Sequence, residues 1–441
     1  MANRNRTKTS VLLLALLMTL ASCSTPGDGA KPAEQGGDNP EPAKRDPVNL
    51  VIYYPFNTEF DADGLMKTFG DPIKKKFPHI TPQFILGGTK ETGLNELIAA
   101  GQQIDIIFSS IGSVVPYLVD TKLIYDITPQ LEKYKYDLNR LEPTMVDMGK
   151  SLNDGKLFGL PVYVPPSALY YNKDLFDKFG VPYPKDGITW DELYDLNKRL
   201  VRKEGETQYF GLGNAFAHFA LLNQRGLNPI DPGTLEAKIT TDGWKRFAEN
   251  IIRFYQDSAY DEKQLNVTAQ NNGFFKDRNT AMYLSITGLQ YAQLEGLNFD
   301  IASFPSDKDA PGVGAQPYPT FFNITGTSKY KDDAFEVIAY LTSNEIQAAL
   351  AKAGKMLPAV KDKAIKNAFG QDAPLFQNKN VKALYPEKYG SSSLWTRYNS
   401  IATTQFYYAV INAAVGKKDL NTALREAEEE ANKQIRTQKG K

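Results

Sequence analysis

The sequence predicts an α/β protein whose folded body is shared between two sheets, and three features carry that expectation. Its 441 residues exceed what one hydrophobic core of about 150 residues usually organises. Short, continuously apolar strands alternate with amphipathic helices, the pattern of a mostly parallel sheet covered by helices on both faces. Finally, Pro165 and Pro166 stand between two extended stretches. Their fixed φ and missing amides suit a connector between sheets better than a sheet centre.

The first residues have the layout of an export signal. Arg4, Arg6 and Lys8 precede the apolar run Val11 to Leu20, too short to span a bilayer, and small residues follow it. Leu20-Ala21-Ser22-Cys23 resembles the bacterial lipobox, and Cys23 is the single cysteine of the chain. Its thiol is the nucleophile that would accept a diacylglyceryl group, so residues 1–22 are expected to be removed and Cys23 lipidated. A chance cysteine is the alternative, and it would leave an exported protein with an unpaired thiol. Residues 23–47 are Pro, Gly, Ala and charge without a large apolar side chain. Such a stretch cannot bury enough surface to offset its ordering entropy, so it reads as a flexible tether.

Val48 to Tyr54 is a β-branched first strand, Leu65 to Phe77 and Thr89 to Ala100 have helical spacing, and Ile104 to Phe108 is a second short strand. Leu157 to Asn172 holds the two stretches around the proline pair. Lys173 to Phe179 is a helix closed by Gly180. Thr189 and Glu192, three apart, form a capping box that starts the next helix, which favours Trp190 as a packing residue over a ligand platform. A helix near Trp244 to Tyr255 and strands at Ala281 to Ile286 and Phe299 to Ser303 suit a second sheet, and Phe321 to Thr325 is extended. Ala334, Val337, Ile338 and Leu341 form one buried stripe, as do Leu420, Leu424, Ala427, Ala431 and Ile435.

Composition narrows the function classes. Lys plus Arg equals Asp plus Glu at 51 each, so no net field gathers nucleic acid. Two distant histidines, His79 and His218, and one cysteine give almost no material for a transition-metal cluster or a Cys/His dyad, and no cofactor is expected. There is no Gly-x-Ser-x-Gly elbow, and Gly149-Lys150-Ser151 lacks the leading glycine of a phosphate loop. Paired carboxylates for glycoside hydrolysis are a three-dimensional matter, so a surface glycosidase or lyase stays open as an alternative.

A set of local strings, in order across nearly the whole mature chain, resembles the family 1 extracellular solute-binding proteins, the maltose-binding-protein-like receptors of ABC importers. They include Asp105-Ile106-Ile107-Phe108, Asp126-Ile127-Thr128-Pro129, Asn153-Asp154-Gly155-Lys156-Leu157-Phe158-Gly159-Leu160-Pro161 and Tyr171-Asn172-Lys173-Asp174-Leu175-Phe176. Thr189-Trp190, Thr280-Ala281-Met282, Tyr340-Leu341-Thr342-Ser343 and Ile411-Asn412-Ala413-Ala414 continue the series. The resemblance implies a two-lobed periplasmic-binding-protein type II fold, each lobe a mixed, mostly parallel sheet flanked by helices and joined by a hinge. Lobe I is expected from residues 48–164 plus about 320–394, and lobe II from 165–319 plus about 395–441. Crossings are expected near Tyr163 to Ser167, Pro317 to Phe322 and Leu394 to Ser400. The implied function is capture of a sugar by a monomer that is lipid-anchored at the outer face of the bacterial cytoplasmic membrane, or facing the periplasm, and that meets the permease subunits of an ABC importer. A lectin-like adhesin is the other alternative.

A neutral sugar needs aromatic faces and a ring of hydrogen-bonding groups. Ser109 and Ser110, at a strand's carboxyl end, are candidate contacts, or else ordinary turn residues. Tyr163, Trp395, Arg397 and Tyr398 flank expected crossings; otherwise they are packing or surface residues. Asn214, Phe216 and His218 follow a strand where the resemblance puts cleft residues, with His218 equally readable as a surface histidine. Asn57 and Glu59 follow the first strand. Family members often carry Trp shortly after the Ala-Met of the 281 strand, where this chain has Ser285-Ile286-Thr287-Gly288. One stacking platform is thus expected to be missing, which leaves a short peptide or another polar solute open beside an oligosaccharide or modified sugar.

Overall fold

A run of β-branched and aromatic residues makes β1 (Val48–Tyr54), and every position in it except Asn49 is buried. The computed structural model to which it belongs describes residues 45–55, 60–214, 216–286 and 291–440. The signal segment, Cys23, most of the tether, Asn57 and Glu59 lie outside the described residues.

β1 lies next to the edge of a six-stranded sheet, parallel to the edge strand β2 (Ile80–Leu86) on one side and to β3 (Ile106–Ser110) on the other. Beyond β3 come β10 (Thr320–Ile324), β4 (Gly159–Val164) and the short β11 (Leu357–Pro358), each antiparallel to its neighbour. The strand expected at 104–108 begins two residues later, because Asp105 is used as an anchor. Its buried carboxylate accepts the Val51 amide at 3.0 Å and the Ser328 hydroxyl at 2.7 Å, tying β1 to the loop after β10. A buried carboxylate is tolerable when it is hydrogen-bonded in this way.

The second sheet has five strands in the order β6 (Arg202–Glu204), β7 (Thr207–Asn214), β8 (Thr280–Ser285), β5 (Ala168–Asn172), β9 (Phe299–Ser303). Only β7 and β8 are parallel there. The sheets are therefore mixed, and the connectivity says why. Strands β1, β2, β3 and β4 run toward the edge from which the chain leaves for the other sheet, as do β7, β8 and β9. A strand that has just crossed, β5 or β10, enters at that same edge and runs away from it, so it pairs antiparallel with both neighbours.

The helices expected from the sequence are present, one of them shortened and the one over Leu65 to Phe77 passing through a π-helical turn at Met66–Gly70. The stretch expected to be helical from Thr89 shortens to α1 (Leu94–Ala99). Thr89 and Thr92 exchange amide-to-hydroxyl hydrogen bonds, both 3.2 Å, which close a turn, and Gly93 stays extended ahead of the helix. By contrast α2 (Lys173–Phe179) ends at Gly180 with φ +63°, and α3 (Trp190–Leu200) starts with the complete Thr189–Glu192 capping box. Short α4 (Phe216–Leu221) and the amphipathic α5 (Asp242–Gln256) cover the second sheet. The expected Ala334 stripe is buried on α6 (Lys331–Leu341), packed with Leu50, Ile52, Phe69, Phe108 and Phe322 over the first sheet, where the last two rings stack face to face. Two long helices, α7 (Asn399–Ala414) and α8 (Leu420–Lys439), pack on each other and add Ala402, Phe406, Leu424 and Ile435 to the second lobe's core.

Residues 379–390, which the sequence places with the first lobe, make their hydrogen bonds at the second sheet. Lys379 Nζ donates to the Phe299 carbonyl at 2.8 Å, the Asn380 amide to Asp300 Oδ1 at 2.9 Å, and the Gly390 amide to Gly314. Among the described residues no helix is long and apolar enough to cross a membrane.

Candidate functional site

The two sheets present matching edges to the segments that join them. On the first, Ser110 of β3 lies opposite Thr320 of β10, and Thr320 opposite Tyr163 of β4. On the second, Ala168 of β5 pairs with Ser285 of β8 and Ser303 of β9, and Asn214 of β7 with Leu284. The chain passes between these edges through residues 165–167 and 304–319, so each edge is a set of strand ends beside a crossing. In open α/β sheets this is where ligands gather.

The first lobe's edge carries a hydroxyl cluster. Ser110 Oγ lies 3.0 Å from Ser113 Oγ and donates to the Tyr318 hydroxyl at 3.3 Å, while Ser113 Oγ donates to the Ser110 carbonyl at 3.0 Å. The turn that brings these together leaves no room for a side chain at Gly112, where a Cβ would stand 2.5 Å from the Tyr318 hydroxyl oxygen. Nearby, the Tyr53 hydroxyl donates to the Thr92 carbonyl at 3.1 Å, and its ring meets Tyr117 edge-on with centroids 6.5 Å apart. Burial, then the proximity of Tyr117 and Glu96, pushes the Tyr53 phenol up to about 12, and burial raises Tyr117 too. These phenols are neutral hydrogen-bonding groups at ordinary pH.

From the second lobe comes the segment before α7. Trp395 is 4% exposed, and its indole Nε1 is buried without a hydrogen-bond partner among the described residues. The segment is held by the Leu394 amide donating to Asn228 Oδ1 at 2.6 Å and by Thr396 donating through both amide and hydroxyl to Asn399 Oδ1. Arg397 reaches Asp120 at the end of the π-helical turn Val115–Val119, an ion pair between the lobes. Tyr398 is buried, with Lys439 Nζ 5.7 Å from its ring centroid.

The other candidates are placed differently. Tyr163 is wholly buried in the first sheet's core, edge-on to Phe322 with its hydroxyl 3.5 Å from that of Tyr54. Ser109 Oγ accepts from Asn323 Nδ2 at 2.7 Å, inside the sheet. Asn214 Oδ1 accepts the Tyr255 hydroxyl at 3.1 Å, and Phe216 packs among Phe247, Tyr255, Phe406 and Tyr407. His218 is half-buried on α4, and burial lowers its pKa, so it is held neutral. The structure thus gathers Ser110 with Tyr318 at one edge and Trp395, Arg397 and Tyr398 on one segment, and it directs Ser109, Tyr163, Asn214 and Phe216 into packing.

The family model for bacterial extracellular solute-binding proteins matches residues 61–348. The chain belongs to this family. Among curated relatives of this solute-binding protein, a binding protein of Brucella abortus is 25% identical over 245 residues, 52% of this chain and 57% of that one. The galactooligosaccharide-binding protein of Bacillus subtilis is 24% identical over 310 residues, 64% of this chain and 67% of its own length. The match thus spans little more than half the length of the first of these. The ABC substrate-binding protein of Listeria monocytogenes in complex with cycloalternan superposes with a TM-score of 0.69 at 19% identity, covering 88% of this chain and 99% of that one. That likeness is one of fold: two lobes joined by a hinge.

Tyr318, Ser113, Gly112 and Asp120 stand beside Ser110 and Arg397 at the candidate site without having been singled out by residue type. Two signals pointed toward them: the small residues Gly112 and Ser113 soon after a strand's end, and a tyrosine flanked by Pro317 and Pro319 within an expected crossing.

Proposed function

We propose that this solute-binding protein captures a saccharide, an oligosaccharide or a modified sugar, between its lobes and delivers it to the permease of an ABC importer while tethered to the membrane through a lipid on Cys23. The carrying observation is the hydroxyl cluster of Ser110, Ser113 and Tyr318 at the strand ends of the first sheet, with Trp395 and its unsatisfied indole N–H on the second-lobe segment that reaches the first lobe through Arg397 and Asp120. Hydroxyls and a buried indole donor match sugar hydroxyls, and the net charge of zero suits a neutral solute. The partners of Ser110 Oγ are two further hydroxyls, an arrangement that forms hydrogen bonds but supplies no base to activate a nucleophile. A galactooligosaccharide-binding relative and a protein of like fold in complex with cycloalternan support the same solute class.

A ligand touching both edges has extra affinity for the closed arrangement, and closure is the signal a permease would read. Calorimetric titration with a panel of neutral oligosaccharides, galactose- and glucose-based, tests the solute class. Micromolar or tighter binding to at least one is expected, and no binding across the panel overturns the saccharide assignment. Replacement of Cys23 by Ser is expected to release the exported protein from the membrane fraction, and retention of the variant there overturns the anchor.

A further inference from the structure

A groove on the second lobe takes no wall from the first sheet or its covering helices. It lies between the start of α3, the end of α4, one face of α5 and the segment after β9, with a volume of about 320 Å³. An adjoining hollow shares Gln224, Arg225, Arg246 and Asp307 with it and extends to Lys388 and Tyr389. The size falls in the range of small-molecule sites.

Its lining combines two kinds of chemistry. Trp190 and Phe247 are half-buried there, and Trp190 is fixed by Nε1 donating to Gln224 Oε1 at 3.1 Å and by edge-on contacts with Phe219, Phe254 and Phe304. Two of the groove's cations are neutralised: Arg225 by Asp307, and Arg253 by Asp191 at 2.7 Å. Arg246, Lys308 and Lys388 have no ion pair among the described residues, against Glu249, likewise unpaired, and Asp309, which shares Arg225 with Asp307 at 3.7 Å. Across the groove and the hollow five cations stand against four carboxylates, an excess of one positive charge beside an aromatic floor.

We propose that this groove binds an acidic sugar unit, a pyranose ring bearing a carboxylate, independently of the site between the lobes. The ring's C–H face would lie on Trp190 and Phe247, its carboxylate would meet Arg246 and Lys308, and Glu249 would accept a ring hydroxyl. A guanidinium offers a carboxylate two parallel hydrogen bonds, which makes Arg246 the principal anion contact. A second ring would extend toward Lys388.

The test is titration of the intact protein with a galacturonic acid disaccharide and with the matching neutral galactose disaccharide, followed by calorimetry and saturation-transfer NMR. The acid is expected to bind, to weaken as salt rises, and to bind about tenfold more weakly to the Arg246→Ala/Lys308→Ala variant. Both residues are on the surface, and an unchanged melting temperature of that variant verifies that it is folded. Arg397→Ala, at the site between the lobes, is expected to bind the acid like the parent, which separates this proposal from the capture function. Equal affinity for the acidic and neutral disaccharides, or undiminished acid binding by the double variant, overturns it.

Discussion

Arg397, just before α7 on the second lobe, pairs with Asp120, which closes the π-helical turn after β3 on the first. Both side chains are about two-fifths exposed, at 38% and 43%, so solvent screens the pair and its worth is about 0–1 kcal/mol. Its position makes it matter more than its strength. A contact made in one arrangement of two lobes biases the equilibrium between arrangements, and 1 kcal/mol shifts a population ratio by about fivefold.

Reversing one charge should therefore open the unliganded protein. Arg397→Glu is expected to raise the radius of gyration in X-ray scattering and to weaken ligand binding by up to about fivefold. Adding Asp120→Lys restores the pair in the opposite sense and is expected to bring both quantities back. An effect of Arg397→Glu that survives the second substitution would assign it to something other than the pair.

Gly112 and Tyr318 are expected to be coupled. A methyl group at Gly112 collides with the tyrosine hydroxyl, so Gly112→Ala should cost about 1–3 kcal/mol in urea unfolding, the usual penalty for overpacking. Tyr318→Phe removes the colliding oxygen, and the double variant should be more stable than the two single effects summed. Simple additivity would mean that the two groups do not meet.

His218 gives a pH dependence whose sign is fixed. Burial holds its pKa below the ordinary 6.5, so above that value folded and unfolded chains are both neutral at this residue. As pH falls through 6.5 toward the folded-state value, the unfolded chain takes up the proton first, and stability is lost. Melting temperatures of the parent and of His218→Gln, compared between pH 7.5 and 5, should diverge only at the acid end, with the parent falling more steeply. Parallel curves would show that His218 takes its proton equally well in both states.

Much of the fold was legible because its signals are local. β1, the two strands around Pro165 and Pro166, the Gly180 stop and the Thr189 capping box each depend on a few adjacent residues and match the sequence expectation closely. The helix expected from Thr89 shortened because two threonines capture each other's amides, a side-chain contact that periodicity does not register. The antiparallel strands β5 and β10 are consequences of crossing between lobes, which apolar runs do not encode. The site was harder for a related reason. Tyr163 and Ser109 sit at the edge that carries the candidate site, but which face each presents turns on a single residue of register, and both are buried. Tyr318 became visible only when the chain's return placed it against Ser110.

The most direct test follows the distance between the lobes. With Cys23 replaced by Ser, the chain has no other cysteine. Dyes placed at Lys122→Cys on the first lobe and Lys417→Cys on the second then report closure by single-molecule energy transfer. A bound oligosaccharide is expected to shift the population toward the short-distance state in proportion to occupancy. Saturating saccharide, verified by calorimetry on the same labelled protein, that leaves the distance distribution unchanged would contradict capture by closure.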